Sequence, residues 1–338
     1  MLHICLRVTV ASILGSILAP PLASADPSNL KLSFFTSDRS RIYQYSVKPF
    51  IDAVNNAGSG VLHVDVYFSG GISGDLGKQP QVVADGEADM AMIVPGRTAD
   101  RFYDTSLLEL PGVFRNAREA SGIFAKLLSG GLLSGYEDFY VISAFVSGPE
   151  SIHSRKPVQS LADLQGLTIR VNNPTEAEVL QRLGAIPVLL SINRTTEALS
   201  GGAIDGATFP PSMLSEFGVG RIATHHYMIG LGGAPVALLM NRKKFESLPD
   251  AAQLVIRTYS GEWANNLSIK HFAEVDHEVL QNLEADPLRT VIFPSGSDTK
   301  VLDGVFQDVV EQWGMTSDHN KQLLARVRAD LSTMRAAE

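Results

Sequence analysis

The chain has 338 residues, enough for two domains with cores of their own, and its 45% hydrophobic and 19% charged content excludes global disorder. A formal net charge of −8 with no basic run excludes a nucleic-acid binder held by phosphate contacts. The single cysteine, Cys5, excludes a disulfide framework.

Residues 1–25 read as a secretory signal peptide. Arg7 supplies the positive charge, residues 8–18 the apolar segment, and Ala23-Ser24-Ala25 the A-x-A cleavage site. A membrane anchor is the weaker reading, because the apolar run is short and Pro20-Pro21 breaks it. Cleavage after Ala25 removes Cys5 and Arg7, leaving a mature chain without thiols and with a net charge of −9. No later stretch is apolar enough to span a membrane. The expected address is the periplasm.

Residues 30–35 (LKLSFF) read as a first strand, with Thr36, Ser37 and Asp38 offering hydroxyls and a cap at its end. Tyr43, Val47, Phe50, Ile51 and Val54 have helical spacing, and Pro49 is placed to kink that helix. Leu62, Val64 and Val66 alternate with polar neighbours, as in a half-buried strand. The glycine-rich turn after it, residues 69–77 and including Gly71, fits neither a Walker nor a Rossmann motif. Residues 89–92 step into another strand, with Arg97 just beyond its end. Residues 140–146 read as a strand leading to a domain crossing at Ser147-Gly148-Pro149.

The most informative stretch runs from Ser154 to Pro211. Ser160 and Asp163 form a capping-box pattern, stopped by Gly166. Leu167, Ile169 and Val171 then share one strand face, with Thr168 and Arg170 on the other. Asn172-Asn173-Pro174 ends the strand, which puts Arg170 at its carboxyl end, the edge where α/β sheets bind ligands. A helix capped by Thr175, a strand at 186–190, a helix near 194–199 and a strand at 203–209 follow, the last stopped by Pro210-Pro211. Phe209 therefore occupies the same kind of strand end as Arg170. An arginine fork beside an aromatic ring suits an organic carboxylate. Further on, His225-His226 points to both faces of a strand and lacks any H-E-x-x-H or cysteine partner, so a structural role is expected rather than a metal. Residues 235–240 read as a buried strand. The rest is helical in pattern, with Trp263 and Trp313 expected to pack rather than bind.

The runs KPVQSLADLQGLTIRV (156–171), LGAIPVLL (183–190) and EALSGGAIDGATFPP (197–211) resemble, in this order, motifs of the DctP-like solute-binding (P) subunits of TRAP transporters. The similarity extends to DGEADMAM (85–92), ELPGVF (109–114) and the Asn241-Arg242 and Leu248-Pro249 pairs. The resemblance implies a two-domain α/β periplasmic binding protein fold with a ligand cleft between discontinuous domains. One domain would hold 26–147 plus 236–274, and the other 148–235 plus 275–338 with the C-terminal helices. It implies no catalysis and no cofactor, and an organic acid delivered to TRAP membrane subunits (small Q and large M, or fused QM). The protein would act as a monomer. Arg170 matches the family arginine that pairs with the ligand carboxylate. Phe209, Arg97, Thr36, Ser37, Gly71 and Asn172 complete the candidate ligand-binding set.

Two departures refine the ligand. Sialic-acid-type members carry a further arginine one strand earlier, where this chain has Glu150, which argues against a highly acidic ligand unless Arg97 substitutes. Phe209 stands where many members have an asparagine, which favours an aromatic or short aliphatic monocarboxylate over a sugar acid. The alternatives are a periplasmic enzyme acting on an organic acid, with Asp205 and Glu109 brought together by folding, or a ligand-sensing protein on the same fold. Neither a G-x-S-x-G nor an S-x-x-K set supports the enzyme.

Overall fold

The computed structural model describes residues 27–336; the signal-peptide expectation for residues 1–25 lies outside them. The first half contains β1 (Ser28–Ser33), α1 (Lys48–Ala57), β2 (Leu62–Tyr67), α2 (Gln79–Ala84), β3 (Met90–Ile93), α3 (Ala117–Ser129) and β4 (Phe139–Val146). The middle contains β5 (Ser151–Ser154), β6 (Thr168–Val171), α4 (Pro174–Arg182), β7 (Ile186–Leu189), α5 (Ile192–Ser200), β8 (Gly206–Phe209) and β9 (His225–Tyr227). The last third contains β10 (Pro235–Asn241), α6 (Arg242–Ser247), α7 (Asp250–Thr258), α8 (Glu262–Ala285), β11 (Thr290–Ile292), α9 (Gly296–Met315) and α10 (Asp318–Ala336).

These elements build two sheets, β2-β1-β3-β10-β4 and β11-β9-β5-β8-β6-β7. In the first sheet β1 runs parallel to β2 and β3, while β10 is antiparallel to both its neighbours. In the second, β6 runs parallel to β7 and β8, while β5 is antiparallel to both its neighbours. The two exceptions share one cause. β5 is entered directly from β4, and β10 directly after β9, so each begins at the edge facing the other sheet. A strand that starts where its neighbours end must run against them.

Alternation builds the cores as expected. Leu30 and Leu32 are fully buried, and each contributes about 1.5–3 kcal/mol through removal from water. Helix α1 follows a five-residue π turn, Tyr43–Val47, in which the Lys48 amide bonds to the Tyr43 carbonyl. Pro49 explains the change of register, since it has no N–H to donate to Tyr45. Helix α4 is capped by Asn173, whose side chain accepts from the Glu176 amide at 2.8 Å, rather than by Thr175. Pro174 occupies the first helical turn, where its missing donor costs nothing. The last strand of the 154–211 stretch begins at Gly206, later than the expected 203.

The two crossings, 147–150 and 228–234, pair with each other. Ser147 donates to the Ala234 carbonyl at 2.9 Å, and Leu231 donates to the Glu150 carbonyl at 2.7 Å. Helix α8 makes a third crossing, packing on β4 at one end and β11 at the other. One apolar cluster runs from Phe124 and Ala144 through Ile152 and Ile169 to Phe306 and Leu324, so α9 and α10 close over both sheets. Trp313 donates to Ser106 Oγ at 2.8 Å, and Lys126 pairs with Asp330 at 2.7 Å. Among the described residues no helix is long and apolar enough to cross a membrane.

Candidate functional site

Because the strands of each sheet end where the chain crosses, the two sheets present their ligand-binding edges to each other. Between them lies a cavity of about 80 Å³. Phe35 beyond β1, Met92 and Val94 at β3, and Phe145 on β4 line it from one side. Glu150 before β5, Arg170 and Asn172 at β6, and Phe209 on β8 line it from the other, while Phe272 of α8 contributes a further aromatic wall.

Arg170 is 1% exposed, yet among the described residues no carboxylate oxygen lies within 4.0 Å of it. Its register partners are Val188 and Ala207, and the flanking Ile169 and Val171 are buried in the core. Nε donates to the Leu190 carbonyl at 3.1 Å, Nη1 to the Thr208 carbonyl at 3.2 Å and Nη2 to Asn172 Oδ1 at 3.1 Å. Three of its five N–H groups are thus engaged, and they hold the fork in place. Cζ lies 5.0 Å from the centre of the Phe209 ring. Burial pulls the guanidinium below its ordinary value, opposed by the Glu150 and Glu176 carboxyls, but an arginine stays charged in proteins. Among the described residues no ion pair occupies the fork. A positioned cation in an apolar cavity can receive a carboxylate without first giving up another.

The other candidates divide. Asn172 is on the wall, and its side chain bridges two groups, accepting from Arg170 and donating to Glu150 Oε1 at 3.2 Å. Arg97 is not on the wall; its Nη1 donates to the Asn172 carbonyl at 3.3 Å, so it supports the loop that carries Asn172. Thr36, Ser37 and Gly71 lie beyond β1 and β2 but outside the wall. Their polar groups serve the loops: Ser69 donates to the Thr36 carbonyl at 3.0 Å, Ser37 to Thr36 Oγ1 at 2.5 Å, and Gly71 to the Phe68 carbonyl at 2.9 Å. Sequence reasoning missed Phe145 and Phe272 as wall residues. Phe145 sits one residue short of its strand end, and Phe272 lies on a helix whose pattern spoke only of packing. Phe35, two residues beyond the end of β1, was findable by the same strand-end logic that picked Phe209.

The polar groups behind the wall are held unequally, and Glu109 Oε2 and Glu150 Oε2 are buried without a hydrogen-bond partner among the described residues. Glu176 accepts from the Asn172 amide at 3.0 Å, from Asn173 Nδ2 at 2.9 Å and from the Thr208 hydroxyl. Asp205 is held by Lys156 at 2.7 Å and by the Thr168 amide, while Glu109 is wholly buried against Gly96, with Glu176 as its acidic neighbour. Their different surroundings leave no Asp205–Glu109 acid–base pair. His226 and His153 are both fully buried, with their Nδ1 atoms 2.7 Å apart and His153 Nε2 3.0 Å from the Phe209 carbonyl. They pin β5, β8 and β9 together from beneath the site. Among the described residues no cluster of His, Cys, Asp or Glu is arranged to hold a metal ion.

Residues 32–314 match the family described as "Bacterial extracellular solute-binding protein, family 7", DctP. The chain is 24% identical over 287 residues to the 2,3-diketo-L-gulonate-binding periplasmic protein YiaO of Escherichia coli K12, covering 82% of this chain and 85% of that one. Among solved structures it superposes with a TM-score of 0.84 on a marine metagenome TRAP solute-binding protein specific for aromatic acid ligands, in complex with metahydroxyphenylacetate. That match has 24% identity and covers 90% of this chain and 99% of the other. A TRAP solute-binding protein of Rhodoferax ferrireducens T118, in complex with copurified benzoate, superposes with a TM-score of 0.82 at 24% identity, covering 92% and 99%.

Proposed function

Since the chain belongs to the DctP family of TRAP-transporter solute-binding proteins, whose members are periplasmic, we propose that its ligand is an aromatic monocarboxylate gripped by Arg170 and delivered to TRAP membrane subunits. The observation that carries this reading is Arg170 itself: buried, held by three acceptors, stacked on Phe209 and without a carboxylate partner within 4.0 Å. A carboxylate entering there gains a charge-assisted pair without releasing a resident anion.

The ring belongs with Phe35, Phe145, Phe209 and Phe272. Aromatic pairs contribute about 0.5–1.5 kcal/mol beyond area burial. A sugar acid has a hydroxyl on nearly every carbon, and each one buried without a partner costs about 1–3 kcal/mol. This wall has few groups to meet them: Ser147 already bonds Gly148 and Ala234, and the Ser212 amide bonds Asp276. Two of the superposed relatives were solved with aromatic acids, which agrees with this choice, whereas YiaO is named for a sugar acid. Arg170, Phe209 and Asn172 are the ligand contacts we propose from the original set.

The test is a thermal-shift panel on residues 26–338 containing benzoate, 3-hydroxybenzoate, glucuronate and succinate, with Arg170→Ala in parallel. A ligand at 100 times its Kd stabilises the native state by about 2.7 kcal/mol. Aromatic acids should shift the wild type and not the variant. A shift with glucuronate alone overturns the ligand class, and an equal shift in Arg170→Ala overturns the site.

A further inference from the structure

Among the described residues Glu150 is the one charged-type side chain on the cavity wall besides Arg170, and it is 2% exposed. Its Oε1 accepts from Asn172 Nδ2 at 3.2 Å, whereas Oε2 is buried and meets no hydrogen-bond partner among the described residues. No Lys, Arg or His nitrogen lies within 4.0 Å of it among those residues. The neighbouring acid, Glu176, has three donors to its carboxylate and Glu150 has one. An ionised Glu150 would therefore be a buried anion with one oxygen bare, a costly arrangement for a carboxyl group. A neutral one has an O–H to give, located on the same wall as the arginine fork.

We propose that Glu150 serves this site as a neutral carboxylic acid, donating a hydrogen bond to the ligand carboxylate gripped by Arg170, so that ligand affinity is linked to a proton. The Arg170–Asn172–Glu150 chain supports the pairing: the Asn172 amide turns its oxygen to the cation and its nitrogen to Glu150 Oε1, which leaves Oε2 as the proton-bearing atom. The charged groups around Glu150 act consistently. Burial, chiefly, and the Glu176 carboxyl push Glu150 well up, while Arg170 and the nearby Thr208 hydroxyl oppose them. Arg97 and Glu109 stand behind, the first facing Arg170 and the second facing Glu176. A bound carboxylate neutralises Arg170 and adds a negative charge, which raises Glu150 further. Affinity is then constant below the pH at which free Glu150 loses its proton, and falls about tenfold per pH unit above it. Where the ligand-free site is ionised, binding takes one proton from the buffer.

This inference rests on the carboxylate-binding reading, so its test has an arm that needs no ligand. Infrared difference spectra between wild type and Glu150→Gln, taken without ligand, should show a protonated-carboxyl C=O band at about pH 7 that belongs to Glu150. A Glu150 already ionised near its ordinary value of about 4.3 overturns the proposal, whether or not any acid binds. The second arm titrates benzoate between about pH 5.5 and 9, in two buffers of different ionisation enthalpy. Wild-type binding should weaken with pH and take up protons on the alkaline side. Glu150→Gln, whose carboxamide donates at every pH, should lose that slope and bind about tenfold or more tightly relative to wild type at the alkaline end. A wild type whose affinity stays flat across a range in which its Glu150 infrared band disappears, or a Gln variant weaker than wild type at every pH, overturns it. If benzoate binds neither protein, the ligand class fails and the infrared arm decides the role of Glu150.

Discussion

At the residue scale, Arg170→Lys separates charge from shape. Lysine keeps the cation but cannot meet Leu190, Thr208 and Asn172 together while presenting a planar pair of donors to a ligand. Calorimetry with an acid that binds the wild type should show a loss of about 2–5 kcal/mol, the usual cost of disrupting a buried hydrogen-bonded charge pair. Wild-type affinity in the lysine variant would mean that any positive charge suffices. Arg170 and Phe209 were both legible in the sequence, because alternation followed by Asn-Asn-Pro or Pro-Pro marks a strand end without any knowledge of partners. Glu150 stood out only as a departure from relatives. What makes it a site residue is long-range, namely the Asn172 bridge and the absence of a cation, and no local pattern encodes either.

At the element scale, the capping box at Ser160–Asp163 and the alternation of β6 formed as their residues dictate. The start of α4 went to Asn173 instead of Thr175, since Pro174 fits the first turn and the cap must precede it. The cavity walls from β4 and α8 were not legible because a phenylalanine facing a ligand and one facing a core occupy the same periodic positions. The paired crossings make a sharper demand. A Cβ on Gly232 would overlap the Glu109 carbonyl, and one on Gly148 would overlap the Asp276 carboxylate. Gly232→Ala meets backbone, which cannot swing aside, so it should cost about 1–3 kcal/mol in chemical denaturation. Gly148→Ala meets a side chain and should cost less. Equal stability of Gly232→Ala and wild type would show that the crossings are looser than they are drawn.

At the scale of the whole molecule, the two sheets, three crossings and closing C-terminal helices behave as one packed unit whose stability responds to acid. His153 is pushed down to about 4 and His226 to about 3, in both cases chiefly by burial. The unfolded chain binds these protons near the ordinary value of about 6.5. Their contribution is therefore fully present above about pH 6.5 and is lost as pH falls toward the folded values, by up to about 3 kcal/mol for His153 alone. The buried carboxyls of Glu109, Glu150 and Glu176, all shifted upward, act in the opposite sense: their cost is relieved as pH falls. A comparison with His226→Gln isolates the histidine share. The stability advantage of wild type over that variant, from urea titrations, should narrow as pH drops from about 7 to 4. A constant gap would mean that His226 takes up its proton equally in the folded and unfolded states. The two-sheet architecture was legible from the order of strands and glycines, while the bridging of both sheets by α9 and α10 was not, because amphipathic helices do not announce which surface they cover.

The depth at which Arg170 is held has a kinetic consequence. With 1% of its surface exposed and Phe145, Phe209 and Phe272 around the cavity, Arg170 would hold the carboxylate of a bound acid well below the surface. If the sheets part to let it go, residence time is governed by how often the crossings flex as well as by how well the acid fits. A competitor added in excess would then stop accelerating exchange once it outnumbers the cargo. Under the proposed function, a membrane partner that pried the sheets apart would set the moment of unloading, which would make the cargo's release a decision of the recipient rather than of the carrier.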